Sequence, residues 1–414
     1  MKTYLICIAS AAMLSACGGS SGGSSGDAGQ PTTPTTPTTP TTPVTGQCQS
    51  SAKSVQWDKV IAADAQNLAD YQLFSNPCDP TQNPSARGLA YDLSVPLFTD
   101  YASKYRFVFI PPDKKAQYHA SETFDFPVGT VITKTFTMPA DTSQRGIDHE
   151  RLLETRLLIK REGGWIARPY VWNEQGTEAQ WDLTGENLVI DDLKHLNESF
   201  NFTYAVPNQN SCTTCHQFNP NGDDDAVDGV DPTPAFFRPI GPKARYLNSD
   251  YDYGQGPENQ LQKWLAEGLL EGLPASNTDI DSTPEFSDST ALADITASAQ
   301  LLQDTSKAWL DINCGHCHRK EGQASNTAFR VDWNIPWLGN EQYHGACAVA
   351  VSGAGESSII IIPGDADNSL LYQRMHTQEP GDAMPPIGRN VIHQEGTALV
   401  KAWIDAMDPS LCSL

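Results

Sequence analysis

Residues 300–318 read QLLQDTSKAWLDINCGHCH, and the fold of the chain turns on them. From Gln300 to Ile312 the apolar residues recur at helical spacing. That helical pattern runs directly into Cys314-Gly315-His316-Cys317-His318. The same C-x-x-C-H pattern occurs upstream as Cys212-Thr213-Thr214-Cys215-His216. Two thiols three residues apart can each add across a haem vinyl group, and the adjoining imidazole then reaches the iron from one face. For this composition chance predicts about 0.005 such motifs, yet there are two. Zinc ribbons place their C-x-x-C pairs about 15–20 residues apart, far closer than these, and a redox dithiol has no need of a following His. Covalent haem c at both sites is the reading the residues favour.

Beyond the second motif, Glu395 to Met407 reads as a closing helix with Ala398, Leu399, Ala402, Trp403 and Ile404 on its apolar side. Just ahead of it lies Met384-Pro385-Pro386, in a loop that proline stiffens. Helix, C-x-x-C-H, Met loop, C-terminal helix is the order of class I c-type cytochromes, which residues 300–408 resemble. Pro363-Gly364 and Ser369-Leu370-Leu371 fit the bacterial branch. The resemblance implies an all-α cytochrome c fold with His318 and Met384 as axial ligands of the iron, the thioether raising its potential. Met375, His344, His376 and His393 are the substitutes for Met384.

The first motif has no such completion. Glu258 to Leu270 gives a closing helix with Leu261, Trp264, Leu265 and Leu269, but Asn201 to Ser211 reads as strand and polar loop. No Met lies between Met138 and Met375 and no His between His216 and His316. Candidates for a distal ligand beside His216 are His195 or His149, Lys243, a His from the other haem domain, or nothing. His ligation gives a low-spin haem, and a vacancy gives a reactive high-spin one. Asp223 to Asp228, in an acidic loop after the motif, offers alternate oxygens for Ca2+, though its spacing departs from the EF-hand.

Residues 48–205 change character. Val55 to Phe74 is expected as one amphipathic helix (Trp57, Val60, Ile61, Leu68, Tyr71), interrupted by Asp64. Tyr105 to Ile110, Thr130 to Met138, Leu152 to Lys160 and Trp165 to Trp172 read as strands, with Gly163-Gly164 turning a hairpin. Leu188 to Ile190 and Ser199 to Val206 are expected to close the sheet. Trp165, Tyr170 and Trp172 read as packing residues, and His119, His149 and His195 as lone imidazoles.

Lys2, the apolar stretch Tyr4 to Ala16 and Leu14-Ser15-Ala16-Cys17 resemble a bacterial lipoprotein signal, which implies lipid on Cys17 and export. Gly18 after that Cys favours the outer membrane, facing periplasm or cell surface. The Gly/Ser stretch and PTTPTTPTTPTTP then give a linker of up to ~90 Å. With Cys7 and Cys17 set aside, and four thiols in the motifs, Cys48, Cys78, Cys347 and Cys412 remain of ten. In an oxidising compartment they are expected as disulfides Cys48–Cys78 and Cys347–Cys412. A net charge of -23 makes nucleic acid a poor partner and suits a basic or neutral redox protein.

The expected class is α+β: a mainly antiparallel β N-terminal domain followed by helical cytochrome c-type haem domains, the last class I-like. Its boundaries are a signal at 1–16, a lipidated linker at 17–47, the β-rich domain at 48–205, a first haem segment at 206–275 and a second haem domain at 276–414. As a whole the chain resembles bacterial dihaem c-type cytochrome lipoproteins, which implies electron transfer with a membrane-tethered body. Dihaem peroxidases, with one open haem, are the alternative the incomplete first site admits. No catalytic residue stands out.

Overall fold

The computed structural model describes residues 48, 54–222, 233–351 and 358–413. The leader, Cys17, the linker and the acidic run 223–228 lie outside them. In chain order the helices are α1 (Trp57–Ala62), α2 (Cys212–His216), α3 (Ala244–Leu247), α4 (Gln260–Ala266), α5 (Leu292–Thr296), α6 (Ala299–Asn313), α7 (Leu370–Met375) and α8 (Gln394–Asp405). The strands used below are β1 (Gly88–Ala90), β2 (Ser103–Phe109), β3 (Ala116–Gln117), β4 (Val131–Pro139), β5 (Glu150–Arg161), β6 (Gly164–Trp172), β7 (Ala179–Trp181), β8 (Glu186–His195) and β9 (Glu198–Val206).

Six of these strands form one antiparallel sheet in the order β1-β2-β4-β5-β6-β7. Alternation sends Phe107, Phe109, Val131, Leu157, Ile159 and Tyr170 to one face, where Val60, Leu68, Tyr71 and Leu73 cover them. Val108 and Ile132 point to the other face and join a larger core with Trp264, Trp309 and Trp403. The sheet is therefore buried on both sides, by the N-terminal segment on one and by the motif-bearing segments on the other.

Two expectations need correcting. The single helix over Val55 to Phe74 is instead α1 and a separate 3-10 turn, Leu68–Tyr71. Sheet side chains pull the chain out of the helix between them. Asp64 pairs with Arg161 at 2.8 Å and Arg168 at 2.7 Å, while the Tyr170 hydroxyl donates to the Ala65 carbonyl at 2.7 Å. β8 and β9 do not close the sheet. They form a separate two-stranded sheet, joined to the segment after β4 by one bridge between Lys194 and Asp141, and pack face-on through Ile190, Leu193 and Tyr204 against Phe136 and Leu153.

α6 and α8 fill the spans expected for the helices flanking the second motif, with Ser298 capping α6 by accepting from the Leu301 amide at 3.3 Å. The first segment is less helical than expected. α4 begins only at the Asn259 cap and the chain leaves it before Gly268, which adopts a left-handed φ of 65°. The structure has disulfides Cys48–Cys78 and Cys347–Cys412. No helix among the described residues is long and apolar enough to cross a membrane.

Candidate haem-binding sites

α2 is barely more than one turn, yet it carries the whole first motif. Cys212, Cys215 and His216 all line one cavity, whose far wall is the inner face of the six-stranded sheet. Strand register explains the wall's chemistry. Ile132 and Leu158 stand opposite each other in β4 and β5 and give an apolar row. One step along, Arg106, Lys134 and Arg156 stand side by side on β2, β4 and β5. Three adjacent like charges disfavour one another unless anions answer them. Asp92 pairs with Arg106, and Glu154 holds Arg156 at 2.6 and 2.7 Å. Lys134 lies 5.0 Å from the Phe136 ring centroid and has no hydrogen bond or ion pair among the described residues.

His216 is set for ligation. Its Nδ1 is 2.7 Å from the Arg238 carbonyl, which can only accept, so Nδ1 carries the proton and Nε2 keeps its lone pair. Phe237 stacks on the ring at 4.7 Å and 6°. Burial pushes the imidazole down to about 4, so it stays neutral at physiological pH.

The second site sits where α6 ends. Trp309, Cys314, His318, Phe329, Met375 and Met384 line its cavity. The Thr327 hydroxyl spends its hydrogen on the Ala324 carbonyl at 2.8 Å and accepts from His318 Nδ1 at 3.2 Å. Nε2 is again the free nitrogen, and burial again pushes the ring down to about 4. Met384 is anchored through its amide to the Arg374 carbonyl at 2.9 Å. The cavity thus offers two thioethers, Met384 and the buried Met375.

A covalent haem c fits both places. Each supplies a neutral imidazole with an oriented Nδ1–H and apolar walls; both first-motif thiols line the first cavity, while Cys314 lines the second and Cys317 lies against Cys215. Each also holds a buried donor with no partner among the described residues: Arg106 Nη2 in the first and Arg374 Nε in the second. Such donors want an anion, and haem carries two carboxylates.

The two motifs meet, although about a hundred residues separate them in sequence. The Cys317 thiol is 3.2 Å from the Thr214 carbonyl, and ligating atoms of Cys215, His316 and Cys317 lie within 4.8 Å of one another. Gln323 bridges to the Thr213 carbonyl at 3.1 Å and to Gln217 at 3.0 Å. Glu122 braces both segments, bonding Arg319 at 2.7 Å and Arg238 at 3.4 Å. Burial works against its charge, but the Arg319 hydrogen bond and the nearby cations hold it at about 2.

The other candidates are elsewhere. His149 and His119 are exposed. His344 is bonded to the Arg330 carbonyl at 2.7 Å, His376 stacks on Tyr372, and His195 and His393 share a separate cluster with Glu395. Lys243 is buried, beside His216 and His316 but outside the cavity that both first-motif thiols line. Sequence reasoning missed Lys134, Arg106 and Arg156. Their signal was a cation at a matching alternate position in three consecutive long strands, which only the register could align.

A family model described as Planctomycete cytochrome C matches residues 347–388. The matched span includes α7, Met375 and Met384, so the C-terminal region is cytochrome c-like, and such a domain implies covalent haem c and haem-based electron transfer. No curated protein and no solved structure matches the chain significantly.

Proposed function

We propose that the chain is a dihaem cytochrome c. One haem would be held by Cys212, Cys215 and His216, the other by Cys314, Cys317 and His318 with Met384 on the far side of the iron. The observation that carries this reading is the contact between the two motifs through Cys215 and Cys317, because it would bring the attached edges of the two groups together. Haem c supplies reversible one-electron chemistry at its iron, so the protein's part is to fix ligands, charge and distance. The lipoprotein-like leader, with Cys17 as its lipid acceptor, and the net charge of -23 would suit a tethered carrier that serves a basic or neutral redox protein at the outer membrane.

The sixth ligand of the first haem is assigned to Lys134. In the cavity shared by Cys212, Cys215 and His216, the side chains able to bind iron besides His216 are Lys134 and Tyr91. Burial raises the Tyr91 hydroxyl and keeps it protonated, while the Lys134 nitrogen has no hydrogen bond or ion pair among the described residues. Burial and the neighbouring Arg156, Arg106 and Lys104 lower its proton affinity well below that of an ordinary lysine, which frees the lone pair.

The test is the protein matured with haem-attachment machinery and freed of reductant. Mass spectrometry should find two haems per chain, and low-temperature EPR should find two low-spin ferric signals. One haem would end the dihaem reading. A high-spin signal from half the iron would open the first site and make peroxide turnover the leading function.

A further inference from the structure

Away from both cavities, three segments bring four metal-binding side chains together. His195 ends β8, Asp288 lies in the loop before α5, and His393 and Glu395 lie at the start of α8. His195 Nε2 is 2.8 Å from Glu395 Oε1, and His393 Nε2 is 3.1 Å from Asp288 Oδ1 and 3.6 Å from Glu395 Oε2. Ligating atoms of Asp288, His393 and Glu395 all fall within 4.8 Å of one another. Donor atoms around one ion at about 2.0–2.2 Å must sit roughly 3 Å apart; His393 Nε2 stands 3.1 and 3.6 Å from the two carboxylates, whereas His195 reaches Glu395 alone and holds it in place.

The imidazoles are held rigidly. Tyr101 stacks on His195 at 4.0 Å and Phe98 stacks on His393 at 4.2 Å, with the two rings 2% and 5% exposed. The Glu395 carboxylate can only accept, so His195 Nε2 donates to it, and the Thr142 hydroxyl, 2.8 Å from Nδ1, completes the hold on the ring. Arg145, 3.4 Å from Asp288 Oδ2, occupies the oxygen that His393 does not. His195, His393 and Asp288 also line a surface cavity, so an ion has a way in.

We propose that Asp288, His393 and Glu395 bind one divalent transition-metal ion, of the zinc or iron(II) type, with His195 positioning Glu395. Two carboxylates balance a dication, and the imidazole nitrogen of His393 disfavours calcium and magnesium. The proposal does not depend on the haem reading. It adds a second kind of centre, and the Trp309 ring that lines the His318 cavity lies 5.8 Å from the His393 ring.

The test uses the matured full chain, stripped with a chelator and treated with iodoacetamide so that no free thiol competes. Titration with Zn2+ in a calorimeter should show one equivalent bound, and the Zn2+-loaded protein should melt at higher temperature. Asp288→Asn, a half-buried loop residue, should weaken binding at least tenfold with haem content unchanged. Glu395→Gln should do the same, with circular dichroism reporting whether the fold is kept. Absence of binding to the wild type, or binding that survives both substitutions, overturns the proposal and leaves the cluster as a set of His–carboxylate ion pairs.

Discussion

The two motif segments share five residues of pattern and little else. Around Cys314–His318 the support is local: α6 delivers the motif, α7 and the Met384 loop face it, and α8 closes the core through Trp403. Around Cys212–His216 the support is borrowed, since the motif's own helix is too short to bury anything and the opposite wall is a β-sheet laid down earlier in the chain. The same attachment chemistry can therefore stand on a complete helical frame or on a strand face. The second arrangement would place side chains about a bound iron by cross-strand register instead of helical spacing.

The difference is most sharply broken by removing one motif at a time. Replacing Cys212 and Cys215 with Ser should halve the haem content measured by pyridine haemochrome assay and leave a folded C-terminal core. Replacing Cys314 and Cys317 should also halve it, but with loss of thermal stability, because Cys314 packs against the main core while Cys212 lies outside it. Equal melting temperatures for the two variants would erase the contrast. Lys134→Ala tests the strand-borne ligand itself. Half of the ferric iron should turn high-spin in EPR while the other signal keeps its shape. An unchanged spectrum would remove Lys134 from the iron.

Much of the second segment was legible because its determinants are close in sequence. Periodicity from Gln300 to Ile312, the motif, and the Met384 loop all sit on elements whose neighbours are sequence neighbours or the next helix. The strands of the sheet were also legible, since alternation is a local property. Placement was not. Nothing near Leu188 or Ser199 says that β8 and β9 stack on the sheet instead of joining its edge, because that depends on Tyr204 reaching Glu154, 50 residues back. Asp64 marked a break in its helix without naming Arg161 and Arg168 as the cause. Lys134 looked like an ordinary polar-face residue until register put it between two arginines and beside His216.

Met384→Ala sharpens the comparison from the helical side. Loss of a thioether should lower one midpoint potential by on the order of 0.1 V, within the about 0.8 V that axial ligands command. The other potential should hardly move. Met375 lines the same cavity, so a titration that changes only in the Met375→Ala variant would transfer the ligand role to that residue.

The smallest effect tests the seam between the two segments. Glu122 sits at about 2 in the folded protein, below its usual 4.5. A depressed carboxylate contributes stability that is complete above the unfolded value and is lost as pH falls through the folded one. Glu122 should therefore add on the order of 2–3 kcal/mol at neutral pH, fading between about pH 4.5 and pH 2. In Glu122→Gln, chemical denaturation should show a lower plateau at pH 7 and a flatter fall through that acid window. Because Arg319 follows the second motif and Arg238 the first, the same variant should loosen the contact between Cys215 and Cys317. If both haems are bound, their mutual influence on midpoint potential should weaken in step with stability. A stability loss with that influence intact would mean the motifs are held together by the remaining contacts, those of Gln323, Asn219 and Cys317 among them.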